Sequence, residues 1–177
     1  MKNILKLAIV SFLILTSCGG TKQYGDKVDT PFSSSKYESS KRYFRAVGKG
    51  QSTSERVASK KSAMAAKSDI ASQVSVTMKS VADDYIHENS NANASEVYSK
   101  LESLSREVMS TELADLRKIG TKTYYDKEKN SYTVFMAYEI NKKSMLKFMK
   151  KRAAALGKDS NEIIKRIEKL EEEVDKK

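Results

Sequence analysis

Cysteine is almost absent. Cys18 is the only one in 177 residues, which excludes an internal disulfide and a cysteine metal cluster and leaves any core to stand on packing. Histidine is equally scarce, with His87 alone, so the usual nucleophile–base pairs and histidine-rich metal sites lack members. Asp83, Asp84, His87 and Glu88 have the spacing of neighbours on a helical turn, but nothing else joins them, and they read as a solvated helix end. A serine–lysine dyad remains formally open, yet no local motif singles one out. No catalytic residue, metal ligand or cofactor is assigned. Long hydrophobic runs are also missing: the apolar stretch from Leu7 to Leu15 is about half of the ~20 residues that cross a bilayer as a helix.

What is there begins with that short stretch. Lys2 and Lys6 precede it, and Leu15-Thr16-Ser17-Cys18 closes it, the charged, apolar, small order of a secretory leader. The closing tetrapeptide resembles the bacterial lipobox. That resemblance implies cleavage ahead of Cys18 and acylation of its thiol, with residues 1–17 as the leader. Each buried methylene contributes about 0.8 kcal/mol, and two chains already give a stable anchor. The expected location is the bacterial cell envelope, held by lipid, and most consistent with the outer membrane facing the periplasm because Gly19-Gly20 carries no acidic sorting run.

The net charge of +10 becomes +8 without Lys2 and Lys6. Such a surplus suits anionic partners. Export removes nucleic acid from the candidates and leaves lipid headgroups, acidic glycans, cell-wall polymer and acidic protein surfaces, or simple solubility.

Residues 18–41 are rich in Gly, Ser, Thr, Lys and Asp, hold the only proline, Pro31, and read as a flexible tether. Tyr43 to Gln51 is β-prone and ends on Gly48 and Gly50. Ser52-Thr53-Ser54-Glu55 has capping-box spacing and predicts a helix of about thirty residues with Ala63, Ala66, Ile70, Val74, Met78 and Val81 on one face. After a break at 89–93, Val97, Leu101, Leu104 and Val108 mark a second helix, over 94–109, expected to pair with the first. The period then changes. Ile119 to Tyr125, a turn at 126–130, and Tyr132 to Ile140 predict a β-hairpin.

Asn141 can cap a further helix carrying Met145, Phe148, Met149 and Leu156 to about Gly157, with the ordinary expectation that its apolar face packs on the hairpin. The last helix starts near Asp159-Ser160 and repeats Ile163, Ile167, Leu170 and Val174, barely two heptads. The expected whole is a single α+β domain over 42–157, a small antiparallel sheet of about three strands packed with long amphipathic helices, followed by a helix over 158–177.

Tyr43-Phe-Arg-Ala-Val-Gly-Lys-Gly-Gln51-Ser52 leading into an alanine-studded helix, then Tyr124-Tyr125-Asp126 and Tyr132-Thr-Val-Phe-Met136, resembles the Lpp-twenty family of envelope lipoproteins over roughly residues 42 to 150. The resemblance implies a small lipid-anchored α+β domain without catalysis, some of whose relatives are parts of disks around flagellar motors. It does not reach the final helix.

Three surfaces carry the functional expectations. Gly48-Lys49-Gly50 lies between strand and helix, where an anion could sit, but it lacks the third glycine of a dinucleotide fingerprint. The helix after Asn141 displays Lys142, Lys143, Lys150 and Lys151, which could meet an anionic surface such as lipid headgroups or cell-wall polymer. The Ile163, Ile167, Leu170 and Val174 seam either folds back on the domain's own core or pairs with a second copy or an envelope complex.

Overall fold

The computed structural model describes residues 28–89, 93–111, 116–155 and 161–176. Cys18 and the leader lie outside them, as do Leu156, Gly157, Asp159 and Ser160. The chain divides after Thr30, and the architecture is that of the unit Pro31–Lys177. It contains β1 (Tyr43–Ser52), α1 (Glu55–Glu88), α2 (Ala94–Thr111), β2 (Arg117–Asp126), β3 (Ser131–Asn141), α3 (Lys142–Ala155) and α4 (Asn161–Asp175). The strands form one antiparallel sheet in the order β1-β3-β2, and the fold is α+β.

Alternation sorts β1 cleanly. Phe44, Ala46, Gly48 and Gly50 turn to one face, which α1 covers, while Tyr43, Arg45, Lys49 and Gln51 take the other. The two glycines do not end the strand, as the sequence suggests; they lie inside it, and pairing continues to Ser52. The reason is the closeness of α1. A Cβ on Gly48 would stand 2.0 Å from the Ser62 carbonyl oxygen and 2.6 Å from the Ala66 nitrogen, and one on Gly50 2.1 Å from the Ala58 oxygen. Ala58, Ser62 and Ala66, four residues apart, supply the small helix face that permits this approach. The buried Ser62 hydroxyl donates to the Gly48 carbonyl at 2.9 Å, so it costs no unpaired polar group.

The helix starts later than the capping-box reading implies. Ser54 is the N-cap, Glu55 is already helical, and Ser52 belongs to β1, its hydroxyl accepting the Ser54 N–H at 3.3 Å. With 34 residues, α1 spans about 50 Å at ~1.5 Å per residue and outruns the sheet. Its first half packs on β1 and β3; its second half, through Ile70, Val74, Met78 and Val81, packs with Val97, Leu101 and Leu104 of α2 and with α3 and α4.

The expectation that α3 packs on the hairpin is corrected here. Asn141 does cap it, accepting the Ser144 N–H at 3.0 Å, but β3 runs straight into the helix and the inner face of β3 is already held by α1. Met145, Leu146, Met149 and Ala153 therefore turn into the helical core. The tether also ends earlier than residue 41. Pro31-Phe32 forms a turn with Phe32 at φ 64°, a conformation that costs a bulky residue roughly 1 kcal/mol or more. The Phe32 ring packs edge-on to Tyr37, centroids 4.7 Å apart, and over Gly120, where a Cβ would come within 2.6 Å of it.

Candidate functional site

The sheet has two edges, and they are treated differently. On β1 the outward backbone groups of Tyr43 and Arg45 and the carbonyl of Gln51 are occupied. Tyr43 exchanges bonds with Ser40, its carbonyl accepting the Ser40 N–H at 2.9 Å and its N–H donating to the Ser40 hydroxyl at 3.2 Å. The Arg45 N–H donates to the Ser39 hydroxyl at 2.8 Å, and its carbonyl accepts from Gln73 of α1 at 2.9 Å. Lys61 donates to the Gln51 carbonyl at 3.3 Å. Side chains of the leading segment and of α1 thus cover the two ends of this edge, Tyr43–Arg45 and Gln51.

β2 is the opposite case. Because Tyr43, Arg45 and Gln51 direct their backbone groups away from β3, the even-numbered residues of β1 exchange hydrogen bonds with even-numbered residues of β3, and the odd-numbered residues of β3 exchange theirs with β2. It follows that Lys118, Thr121, Thr123 and Tyr125 direct their N–H and C=O groups to the open edge. Thr121 and Thr123 are exposed, and Tyr124 and Tyr125 remain 48% and 47% exposed. The inner face of this strand escapes α1, which lies across β1 and β3. Two ordinary safeguards of an edge are present: a bulge between Lys118 and Gly120, and the cations Arg117, Lys118 and Lys122.

One buried carboxylate ties the strands together. Glu139 of β3, its side chain 5% exposed, accepts from Arg45 of β1 at 2.8 Å and from Arg117 of β2 through Nε, at 3.1 Å, and Nη2. Burial works to raise the Glu139 pKa; the hydrogen bonds from Arg117 and Arg45 outweigh it and hold the carboxyl below the ordinary range. Further along the outer face Phe135 receives the Lys49 ammonium at 5.8 Å and the Tyr124 edge at 6.1 Å, a cationic and aromatic surface.

The residues singled out from sequence are dispersed. Ile163 and Ile167 are buried in the chain's own helical core, with Leu170 and Val174 half-buried against it, so this seam is spent inside the domain rather than offered as a partner strand. A short helix with one apolar stripe gains most by burying it on the nearest apolar surface, here α3. Lys143 pairs with Asp175, and Lys150 with Glu171 at 3.1 Å and Glu168 at 3.4 Å. These two lysines fasten α3 to α4 and are not part of an open basic strip. Lys151 is exposed. Lys142 places its ammonium 4.3 Å from the centre of the Phe44 ring. At the other end of α1, Asp83 accepts from Tyr98, and Glu88 pairs with Arg166, Nη1 at 2.6 Å. Among the described residues no group of three or more His, Cys, Asp or Glu side chains could hold a metal. Cys18 lies outside the described residues.

The sequence reading missed the buried Glu139 bridge and the sealing of β1. The Glu139 partners lie 94 and 22 residues away in the chain and Gln73 lies 28 from Arg45, so they leave no local signal. Ser39 and Ser40 are near Tyr43 and Arg45 but carry no pattern that sets them apart from the other serines of the leading segment. No protein-family model, no curated protein and no solved structure matches this chain.

Proposed function

We propose that this protein is a non-catalytic, lipid-anchored envelope component that docks on another envelope protein by adding a partner strand to β2. The observation that supports the reading is the contrast between the sheet's edges: β1 is bonded at Tyr43, Arg45 and Gln51 by Ser39, Ser40, Lys61 and Gln73, while β2 leaves Thr121, Thr123 and Tyr125 with outward backbone groups that no side chain among the described residues meets. Strand addition takes its affinity from such groups and its specificity from flanking side chains. Arg117, Lys118 and Lys122 outnumber Asp126 on the strand, so two copies bring excess like charge together and an acidic strand fits better. The resemblance to envelope lipoproteins over residues 42–150 and the lipobox-like segment at Cys18 support an envelope location.

Replacing Tyr125 with p-benzoylphenylalanine in cells tests the docking. The expected product is a covalent adduct with one other protein, lost when Thr123→Pro removes an outward N–H while the melting transition persists. Adducts only between copies of this chain reject the acidic partner; absence of adducts, or indifference to Thr123→Pro, rejects the edge. The anchor has its own test. Cys18→Ala is expected to move the protein to the soluble fraction after a high-salt wash, and retention on membranes rejects lipidation.

A further inference from the structure

Away from β2, a cleft of about 440 Å³ opens between β1, α3 and α4, within the range of roughly 300–1,000 Å³ typical of small-molecule sites. Its walls are Phe44, Met145, Leu146, Leu170 and Val174, an apolar lining. Three cations, Lys41, Lys142 and Lys176, stand around it against one acid, Glu173. Lys142 differs from its neighbours on α3. Lys143 and Lys150 have carboxylates on α4, whereas the Lys142 ammonium rests on the Phe44 ring, and no carboxylate among the described residues forms an ion pair with it. Burial pushes its pKa down, the mark of a cation partly stripped of water without an anion in exchange.

Apolar walls with cations at the mouth match a molecule that has one aliphatic chain and one anionic head. From this geometry we infer that the cleft binds a monoacyl anionic amphiphile, its chain against Phe44, Met145, Leu146, Leu170 and Val174 and its head on Lys142, with Lys41 and Lys176 adding to the field. The anion completes the charge pairing that Lys142 lacks, and the chain covers the partly exposed Leu170 and Val174, behind which Phe44, Met145 and Leu146 are already buried. A fatty-acid carboxylate and a lysophospholipid phosphate share this chemistry. The inference is independent of docking at β2, which lies on the far side of β3 from this cleft.

The full-length protein, reconstituted in phosphatidylcholine vesicles, is photolysed with three diazirine-tagged probes: palmitate, lysophosphatidylglycerol and the neutral hexadecanol analogue. Adducts are mapped by mass spectrometry. Labelling of peptides containing Met145, Leu146, Leu170 or Val174 by either anionic probe, at about tenfold the level of the alcohol, is expected, tenfold being one charge-assisted contact of ~1.4 kcal/mol. Palmitate alone identifies a free acid as the ligand source; lysophosphatidylglycerol alone identifies a membrane lipid. Lys142→Ala should lower labelling by a similar factor and Lys142→Arg should restore it. Equal labelling by the alcohol, adducts outside the cleft, or a Lys142→Ala protein labelled as wild type overturns the inference. If Lys142→Ala does not fold, the comparison of anionic with neutral probe on the wild-type chain decides.

Discussion

The two edge strands of the sheet are of equal length and pair with the same central strand, yet β1 is enclosed and β2 is not. β1 lies under α1 at backbone contact distance and has both ends of its outer edge, at Tyr43–Arg45 and at Gln51, bonded by side chains. β2 is held mainly by its ladder to β3, by the Glu139 bridge and by the Phe32 ring. The difference separates two tasks within one sheet. Stability is invested on the β1 side, where a helix, a strand and two glycines have to agree, and accessibility is kept on the β2 side, which bears little of the core.

The sharpest way to break this comparison is to add one methyl group to each side. Gly48→Ala drives a Cβ into the backbone of α1 and should destabilise the fold by about 3 kcal/mol or more, measured by denaturant unfolding. Gly120→Ala meets only the Phe32 ring, the end of a side chain that can move, and should cost about 1 kcal/mol or less. Equal costs would mean that both strands are equally built into the core.

A middle-sized effect is expected at the connection between the strands. Glu139→Gln should cost about 2 kcal/mol at neutral pH, because a buried charge-assisted network is broken. The pH dependence follows from the depressed carboxyl. Its contribution is present above the ordinary value of 4.5 and is lost as pH falls through the lower folded value. Wild type should therefore approach the variant's stability in acid, and the difference seen at pH 7 should narrow below about pH 5. A difference independent of pH would assign the effect to packing instead.

The smallest change sharpens the contrast at single-residue resolution. Ser39→Ala removes the acceptor of the Arg45 N–H and should cost about 1 kcal/mol. Hydrogen exchange at the Arg45 amide should rise toward that of Thr123, whose N–H already faces the open edge. If Arg45 stays protected, the seal on β1 does not depend on Ser39.

Much of this fold was legible from the residues. The three-to-four spacing from Ala63 to Val81 and from Val97 to Leu104 marks helices that bury those faces, and alternation with β-branched and aromatic residues marks the hairpin. Local chemistry was less reliable at boundaries: Gly48 and Gly50 look like punctuation in one dimension and are contact points in three. The candidate site was harder to read. Lys143 and Lys150 look alike to Lys142 along the sequence, and only the position of α4 assigns carboxylates to the first two and an aromatic ring to the third. The apolar seam of α4 was visible, but its partner was not, because periodicity reports that a face is buried and not against what.

The Phe32 turn has a mechanical consequence. The chain enters this unit at Pro31 and is held first by an aromatic ring set against the backbone of β2, and only then by Ser39 and Ser40 against β1. A pull on the residues ahead of Pro31 is therefore taken up across two strands in succession, as a cable clamp relieves the joint behind it, before any load reaches the helical core.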